Sequence, residues 1–334
     1  MESDKKCGPE RTQCADEEPR PVIVFIAHMD VVFPDTEELP LEEREGRICC
    51  PGVGDDTANL AVLLLTAEYA AQRRPDTGGY DILFVCGVGE EGLGNLKGSR
   101  EICSAFGDRI KAFYALDLTS DSYLCRSVGS LRYRVCVTAR GGHSYHCFGN
   151  TNANAVLAEI ITALYRVRVP QNGSTTYNVG VISGGTSVNT IAQHAELLYE
   201  IRSDDVRDLE IMRGKFYDII EKYQKTLPSD CSVELELIGE RPCEKNVDTE
   251  KRQRLFACVE KAVEEACGKR PVPAAFSTDC NIPLSLGIPS VCVGTYRGAG
   301  AHTREEYIEK DSLAEGLEIA LRLLEGCTSC MDKS

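Results

Sequence analysis

Residues 22–27 read VIVFIA, six apolar residues without a break. A strand with one wet face alternates apolar and polar residues, so an unbroken run needs cover on both faces, as a strand inside a parallel sheet has. Two more such runs follow, at 81–88 and 113–116. Between the first and second, Asn59 to Ala71 is apolar nearly all round and rich in helix formers. Strand, helix and strand in this order predict an α/β fold with a doubly wound, mostly parallel sheet. After Ser130 the texture changes. Residues 131–238 alternate as strand, helix, strand, strand, helix, strand, the order of a ferredoxin-like α+β unit. A helix over 252–266, a buried strand at 290–294 and a last helix over 312–324 then return to the first pattern. The expected organisation is a sheet domain built from 1–129 and 239–334, with an inserted domain at 130–238.

The chain has 334 residues, 43% hydrophobic and 27% charged, enough for two domains with a large core. Its formal net charge of -15 argues against nucleic acid or an anionic membrane as partner, since polyphosphate surfaces are bound by excess Lys and Arg. The opening MESDKKCGPERTQCADEEPR has no apolar segment of the kind that starts export, and the run at 60–65 is too short to span a bilayer. The location expected from these features is cytoplasmic. Seventeen cysteines in a long chain of this kind read as reduced thiols rather than a disulfide scaffold. Cys49-Cys50 and Cys327-x-x-Cys330 lack a second matching pair, so neither reads as a structural zinc site.

The stretch GVGEEG at 87–92 fits the G-x-G-x-x-G pattern and follows an apolar strand. A nucleotide cradle is nonetheless a poor reading. Glu90 and Glu91 would repel a pyrophosphate, and the acid that should take a ribose hydroxyl about twenty residues on is missing. A nicotinamide-dependent oxidoreductase is therefore disfavoured. The glycines instead suit a sharp turn that aims two acids in different directions. Ligands in open α/β sheets collect at the carboxyl ends of the strands. There the chain places His28-Met29-Asp30, Glu90-Glu91, Asp117 and His302, with Asp55-Asp56 at the mouth of the first helix. Each alone reads blandly: a single histidine is more often a hydrogen-bonded structural residue, and two glutamates are a solvated turn. Together on one rim they point to a divalent cation, because imidazole with carboxylate suits zinc or a similar ion.

The sequence resembles the co-catalytic zinc metallopeptidase and amidohydrolase family that includes peptidase T, the aminoacylases, acetylornithine deacetylase and succinyl-diaminopimelate desuccinylase. The matching pieces, in order, are AHMD (27–30), GVGDDTAN (52–59), GEEGLG (89–94), ALD (115–117), ARGGHS (139–144), NAV (154–156), NVGVISGGTSVNTIA (178–192), YEIRSD (199–204), STDCNIPLSLGIPSV (277–291) and GAHT (300–303). The resemblance implies a catalytic α/β domain and an inserted lid and dimerisation domain. It also implies two divalent metal ions, zinc first, with manganese or cobalt as alternatives. His28 and Asp117 would hold one ion, Glu91 and His302 the other, and Asp55 would bridge them. Glu90 would be the general base and Asp30 would orient the His28 ring. His143 would help hold the tetrahedral oxyanion, in its own or a partner subunit's site, and Asn189 and Arg202 would contact a substrate carboxylate. Two departures stand out: Thr57 occupies a place where many relatives carry Lys, and relatives usually have a helix and further strands before the first motif. The second would leave a sheet edge or a helix-packing face uncovered.

The function expected is hydrolysis of amide bonds in small peptides, of the aminopeptidase or dipeptidase type. Deacylation of N-acyl amino acids is the alternative, since it needs the same ligands and base. A catalytically silent metal- or peptide-binding protein is a third reading, which the full set of ligands disfavours. Arg202 lies in an alternating strand where a plain surface residue is the simpler account, and His146 and His194 read as surface. A homodimer through the inserted domain is expected from the family resemblance alone.

Overall fold

The computed structural model describes residues 19–35 and 38–330. The N-terminal segment on which the leaderless reading rests lies outside these residues, apart from Pro19 and Arg20.

Six strands form the main sheet, in the order Val272–Phe276, Ser122–Ser127, Ser290–Val293, Ile110–Leu116, Val22–His28 and Asp81–Gly87. All neighbours run parallel except Ser290–Val293 beside Ser122–Ser127, which meet through an antiparallel Val293–Tyr123 bridge. VIVFIA lies in a strand whose seven residues are all buried. Its alternate side chains divide between two cores. Ile23, Phe25 and Ala27 pack with the helices Asn59–Arg73, Thr249–Cys267 and Ser312–Gly326, whereas Val22, Val24 and Ile26 pack with Lys97–Phe106 and the short helix Asn281–Ser285. Burial on both faces is what the unbroken apolar run required. Phe25 also stacks on Tyr114 of the next strand, with ring centroids 4.8 Å apart.

Three details depart from the sequence reading. Asp81–Gly87, read as a fully covered strand, is the sheet's edge: it pairs on one side only, and Leu83, Phe84 and Val85 are half-buried. Leu64 and Leu65 on the Asn59–Arg73 helix are exposed, so that part of the helix and the Asp81–Gly87 edge are uncovered among the described residues. The strands Ser122–Ser127 and Val272–Phe276 carried no recognisable signal. The first holds a buried pair among polar residues, and the second contains Pro273, tolerable because it sits at the opposite edge.

The inserted unit has the expected β-α-β-β-α-β order. Its sheet runs Cys231–Arg241, Gly129–Ala139, His194–Ser203, Thr175–Gly184, all antiparallel. Helices Ala153–Leu164 and Val206–Thr226 cover one face, and the alternation of buried and less buried residues from Leu131 to Ala139 and along His194–Ser203 leaves the other face open. Asp205 caps the second helix, its carboxylate accepting from the backbone N–H of Arg207 at 2.8 Å and Asp208 at 3.2 Å. Among the described residues, no helix is long and apolar enough to cross a membrane.

Candidate active site

His28 ends the strand Val22–His28, next to the sheet's edge strand, and is buried. Its Nε2 lies 3.0 Å from Asp55 Oδ1, and the other oxygen of the same carboxylate lies 2.9 Å from His302 Nε2. Glu91 Oε1 reaches His302 Nε2 at 3.1 Å. Asp55 therefore stands between two imidazoles that are 274 positions apart by their numbers, 28 and 302. His302 adopts φ 64°, a left-handed conformation uncommon outside glycine, in a turn after Gly300.

A buried acid holds the loop that carries Asp55. Glu306 accepts from the backbone N–H groups of Gly52, Gly54 and Asp55 at 2.5, 2.9 and 2.8 Å. Gly54 has no substitute there, since a Cβ would lie 2.5 Å from the Tyr296 hydroxyl. The Asp55–Asp56 peptide bond is cis. Asp56 is buried and already engaged: Oδ2 accepts from the His28 backbone N–H at 2.8 Å and Oδ1 from the Asn59 amide at 2.7 Å. Its task is to fix the end of the strand Val22–His28 against the helix mouth.

Asp30 differs in detail from the expectation. The His28 Nδ1 is held by the Asp30 backbone carbonyl at 2.9 Å, while the nearest carboxylate oxygen is 3.9 Å away. That carboxylate instead accepts from the backbone N–H groups of Gly89, Glu90 and Glu91 at 2.8, 3.2 and 2.8 Å. One residue thus orients both the imidazole and the diglutamate turn. The turn itself passes through left-handed φ at Gly89 and Gly92, 74° and 52°, where side chains are strained. Glu90 points inward, only 6% exposed, and pairs with the equally buried Arg241 at 2.8 Å from Nη1 to Oε1. The same guanidinium also donates to the Glu90 carbonyl.

The electrostatics show what such a cluster lacks. Burial, then the charges of Asp117 and Asp279, push the Glu90 carboxyl up to about 8 despite Arg241. Burial and Asp55 raise Asp117 to about 7. Burial alone would lower His28, but its hydrogen bond to Asp55 and the charges of Asp56, Asp117 and Glu90 carry it up to about 12. Buried acids that resist ionisation around an imidazole that holds its proton describe an uncompensated negative site. A divalent cation is the compensation such a donor set fits, since three groups of donor atoms at the site each lie within 4.8 Å of one another: His28, Asp55, Asp56 and Asp117; His28, Glu90 and Glu91; and Asp55, Glu91 and His302. Asp55 belongs to the first and the last.

A cavity of about 350 Å³ opens beside these groups, lined by Asp55, Glu90, Glu91, Asp117, His302, Arg132, Arg202, Arg241 and Ser277 among others. The main sheet supplies the acids and the open side of the inserted sheet supplies Arg132 and Arg202. Both arginines donate through Nε to Glu200 at 2.8 Å. His143 and Asn189 are not among the lining residues. They lie together where Gly142–His143 pairs with Thr190–Ile191, the Asn189 carbonyl accepting from the Ser144 N–H at 2.9 Å. The sequence reading assigned no role to Arg241, Arg132, Ser277 or Glu306. Arg241 closes the alternating strand Cys231–Arg241, and a charged residue at that position gives no sign that it turns inward. Glu306 stands in REEYIEK beside other acids that nothing in the sequence separates from it.

The model of Peptidase family M20/M25/M40 matches residues 24–326. Among characterised relatives, the chain is similar to the N-acetyldiaminopimelate deacetylase of Limosilactobacillus reuteri, 29% identical over 241 residues that span 65% of this chain and 61% of that enzyme. Among solved structures it is similar to a tripeptidase from Staphylococcus aureus, with a TM-score of 0.70, 23% identity, and coverage of 93% of this chain and 82% of that one. An aminopeptidase PepT from Bacillus cereus gives a TM-score of 0.67 at 22% identity, covering 92% and 81%. Both structural likenesses concern the fold.

Proposed function

The chain belongs to peptidase family M20/M25/M40 and is a metal-dependent hydrolase of amide bonds, and from that premise we propose that it is an exopeptidase of small peptides, acting on di- or tripeptides. The observation that carries this reading is the shared Asp55 carboxylate, set between His28 and His302 with the buried Glu90 beside them. We assign His28, Asp55 and Asp117 to one ion and Asp55, Glu91 and His302 to the other, with zinc as the metal. When bound, such a pair supplies positive charge that polarises the scissile carbonyl and brings water from a pKa of about 15.7 towards 7.

The chain's own residues do the rest. Glu90, held by Arg241 beside His28 and Glu91, takes a proton from the attacking water and delivers it to the leaving nitrogen. Asp30 keeps the turn that carries Glu90 and Glu91 in register with His28. Arg202 and Arg132, on the cavity wall, receive the substrate's carboxylate, for which a planar guanidinium is well shaped. A cavity of about 350 Å³ lies near the lower end of the range of ligand pockets, roughly 300–1,000 Å³, and supports a small substrate. His143 and Asn189 act, in this reading, only when residues 130–238 close as a lid or when a second chain presents them. A homodimer through that unit provides the second chain.

Deacylation of an N-acyl amino acid is the second reading, favoured by the likeness to the deacetylase. Metal analysis together with a panel of di- and tripeptides and of N-acetyl and N-succinyl amino acids separates the two. Two metal equivalents per chain with turnover of free-amine peptides support the exopeptidase. Turnover confined to the acylated amino acids would replace it with the deacylase, and metal-independent turnover would end both.

A further inference from the structure

The open face of the inserted sheet carries a second set of metal-binding side chains, none of which the catalytic centre uses. Cys136 on strand Gly129–Ala139 stands directly opposite Glu196 on strand His194–Ser203, and its Sγ is 3.8 Å from Glu196 Oε2. His194 lies two residues before Glu196, so the pleat brings it to the same face. One donor atom from each of the three lies within 4.8 Å of the others. In a tetrahedral zinc site, with bonds of about 2.0–2.3 Å, neighbouring donors sit about 3.5 Å apart, so rotamer changes at the exposed His194 and half-buried Glu196 close the gap without moving the backbone.

Thiolate, imidazole and carboxylate together are a donor set for zinc rather than for calcium or magnesium, which prefer oxygen alone. The surroundings agree. Glu234 faces Cys136 from the strand on its other side, adding negative charge next to the thiol. Arg134, a nearby cation, donates directly to Glu236 and approaches Glu196 only to 4.0 Å, which leaves Glu196 weakly held. Cys136 is four residues along its strand from the cavity-lining Arg132, about 13 Å at the rise of a strand, so the two centres are separate.

We propose that Cys136, His194 and Glu196 form a third, zinc-class cation site on the open face of the inserted sheet, cross-linking its two central strands. Binding releases the Cys136 thiol proton to solvent and leaves a coordination position for water.

The catalytic donors contain no sulfur, which gives this site its own spectroscopic signature. Metal-free full-length protein is titrated with Co(II), and thiolate-to-cobalt charge-transfer absorption is followed in the near ultraviolet. The wild-type protein is expected to develop this absorption to the level of a single thiolate per chain. Cys136→Ser should abolish it, and His194→Ala should weaken the binding that produces it at least tenfold. Cys86→Ser, which removes an exposed cysteine elsewhere, should leave it unchanged. Absence of the band in wild type, or its persistence in Cys136→Ser, overturns the proposal. Because peptide hydrolysis is not the readout, either result stands apart from the catalytic assignment.

Discussion

Glu90 and Glu91 are adjacent in the chain and opposite in circumstance. Glu91 faces His302 and the donors shared with Asp55, whereas Glu90 is sealed against Arg241. The substitution Glu90→Gln keeps the shape of the pair and removes the basic oxygen. It is expected to retain both metal equivalents by elemental analysis while turnover falls by at least about a hundredfold. Glu91→Gln should lose metal instead. Equal turnover in Glu90→Gln and wild type would remove Glu90 from the chemistry. Arg241 offers a stability test of the same site. Removing the hydrogen-bond donor from a buried polar group typically costs about 1–3 kcal/mol, and Glu90, whose carboxyl is already pushed up to about 8, can keep its proton but loses the donors of Arg241. Arg241→Ala should show a loss of that order in urea unfolding at neutral pH, and a loss below about 1 kcal/mol would mean that Glu90 is satisfied by other groups.

Two helices allow tests in which the sign of the effect is not obvious from propensity. Gly316 lies within the helix Ser312–Gly326, where replacing glycine by alanine ordinarily stabilises by about 1 kcal/mol. Here an added Cβ would meet the Thr295 carbonyl oxygen at 1.6 Å. A backbone atom cannot rotate away, so the helix has to shift and overpacking, commonly about 1–3 kcal/mol, wins. Gly316→Ala should lower the melting temperature, and a rise would show that the helix slides freely. At the start of Val206–Thr226, Asp205 caps the first turn, and its bonds to Arg207 and to the backbone hold its carboxyl down to about 2. A depressed acid stabilises the fold above its unfolded value of about 3.9 and loses that contribution as pH falls through the folded value. The stability gap between wild type and Asp205→Ala, about 1 kcal/mol near neutrality, should therefore shrink as pH falls from about 4 towards 2. A gap independent of pH would mean that the cap does not depend on the charge.

At the scale of the molecule, the cluster of buried acids is expected to couple folding to metal binding. An ion that binds only the folded chain at a concentration about a hundred times its dissociation constant adds about 2.7 kcal/mol per site. Chelation should lower the melting temperature well beyond the effect of any single surface substitution, and re-addition of zinc should restore it. An unchanged melting temperature after verified metal removal would show that the acids are neutralised by their own protons instead.

The periodicity of the chain determined much of this architecture. VIVFIA could only be a strand covered on both faces, and the period-two pattern of the inserted unit fixed which side its helices cover. The residue types at the strand ends already announced a cation-binding rim, and the structure brings His28, Asp55, Glu91, Asp117 and His302 to one place. Other features were decided by tertiary contacts. Asp81–Gly87 is as apolar as a central strand, and it is an edge only because no further strand among the described residues pairs with it. Arg241 and Glu306 look like surface charges in sequence and become buried partners because distant segments close over them. Asp30 was legible as a neighbour of His28, yet whether its carbonyl or its carboxylate faces the ring depends on where the diglutamate turn lies. Local patterns record which face of an element is apolar, since burial acts on every residue of that face. Local caps such as Asp205 apart, which buried polar group meets which is recorded in no single segment, because pairings such as Glu90 with Arg241 are made between elements that only the folded chain brings within a few ångströms.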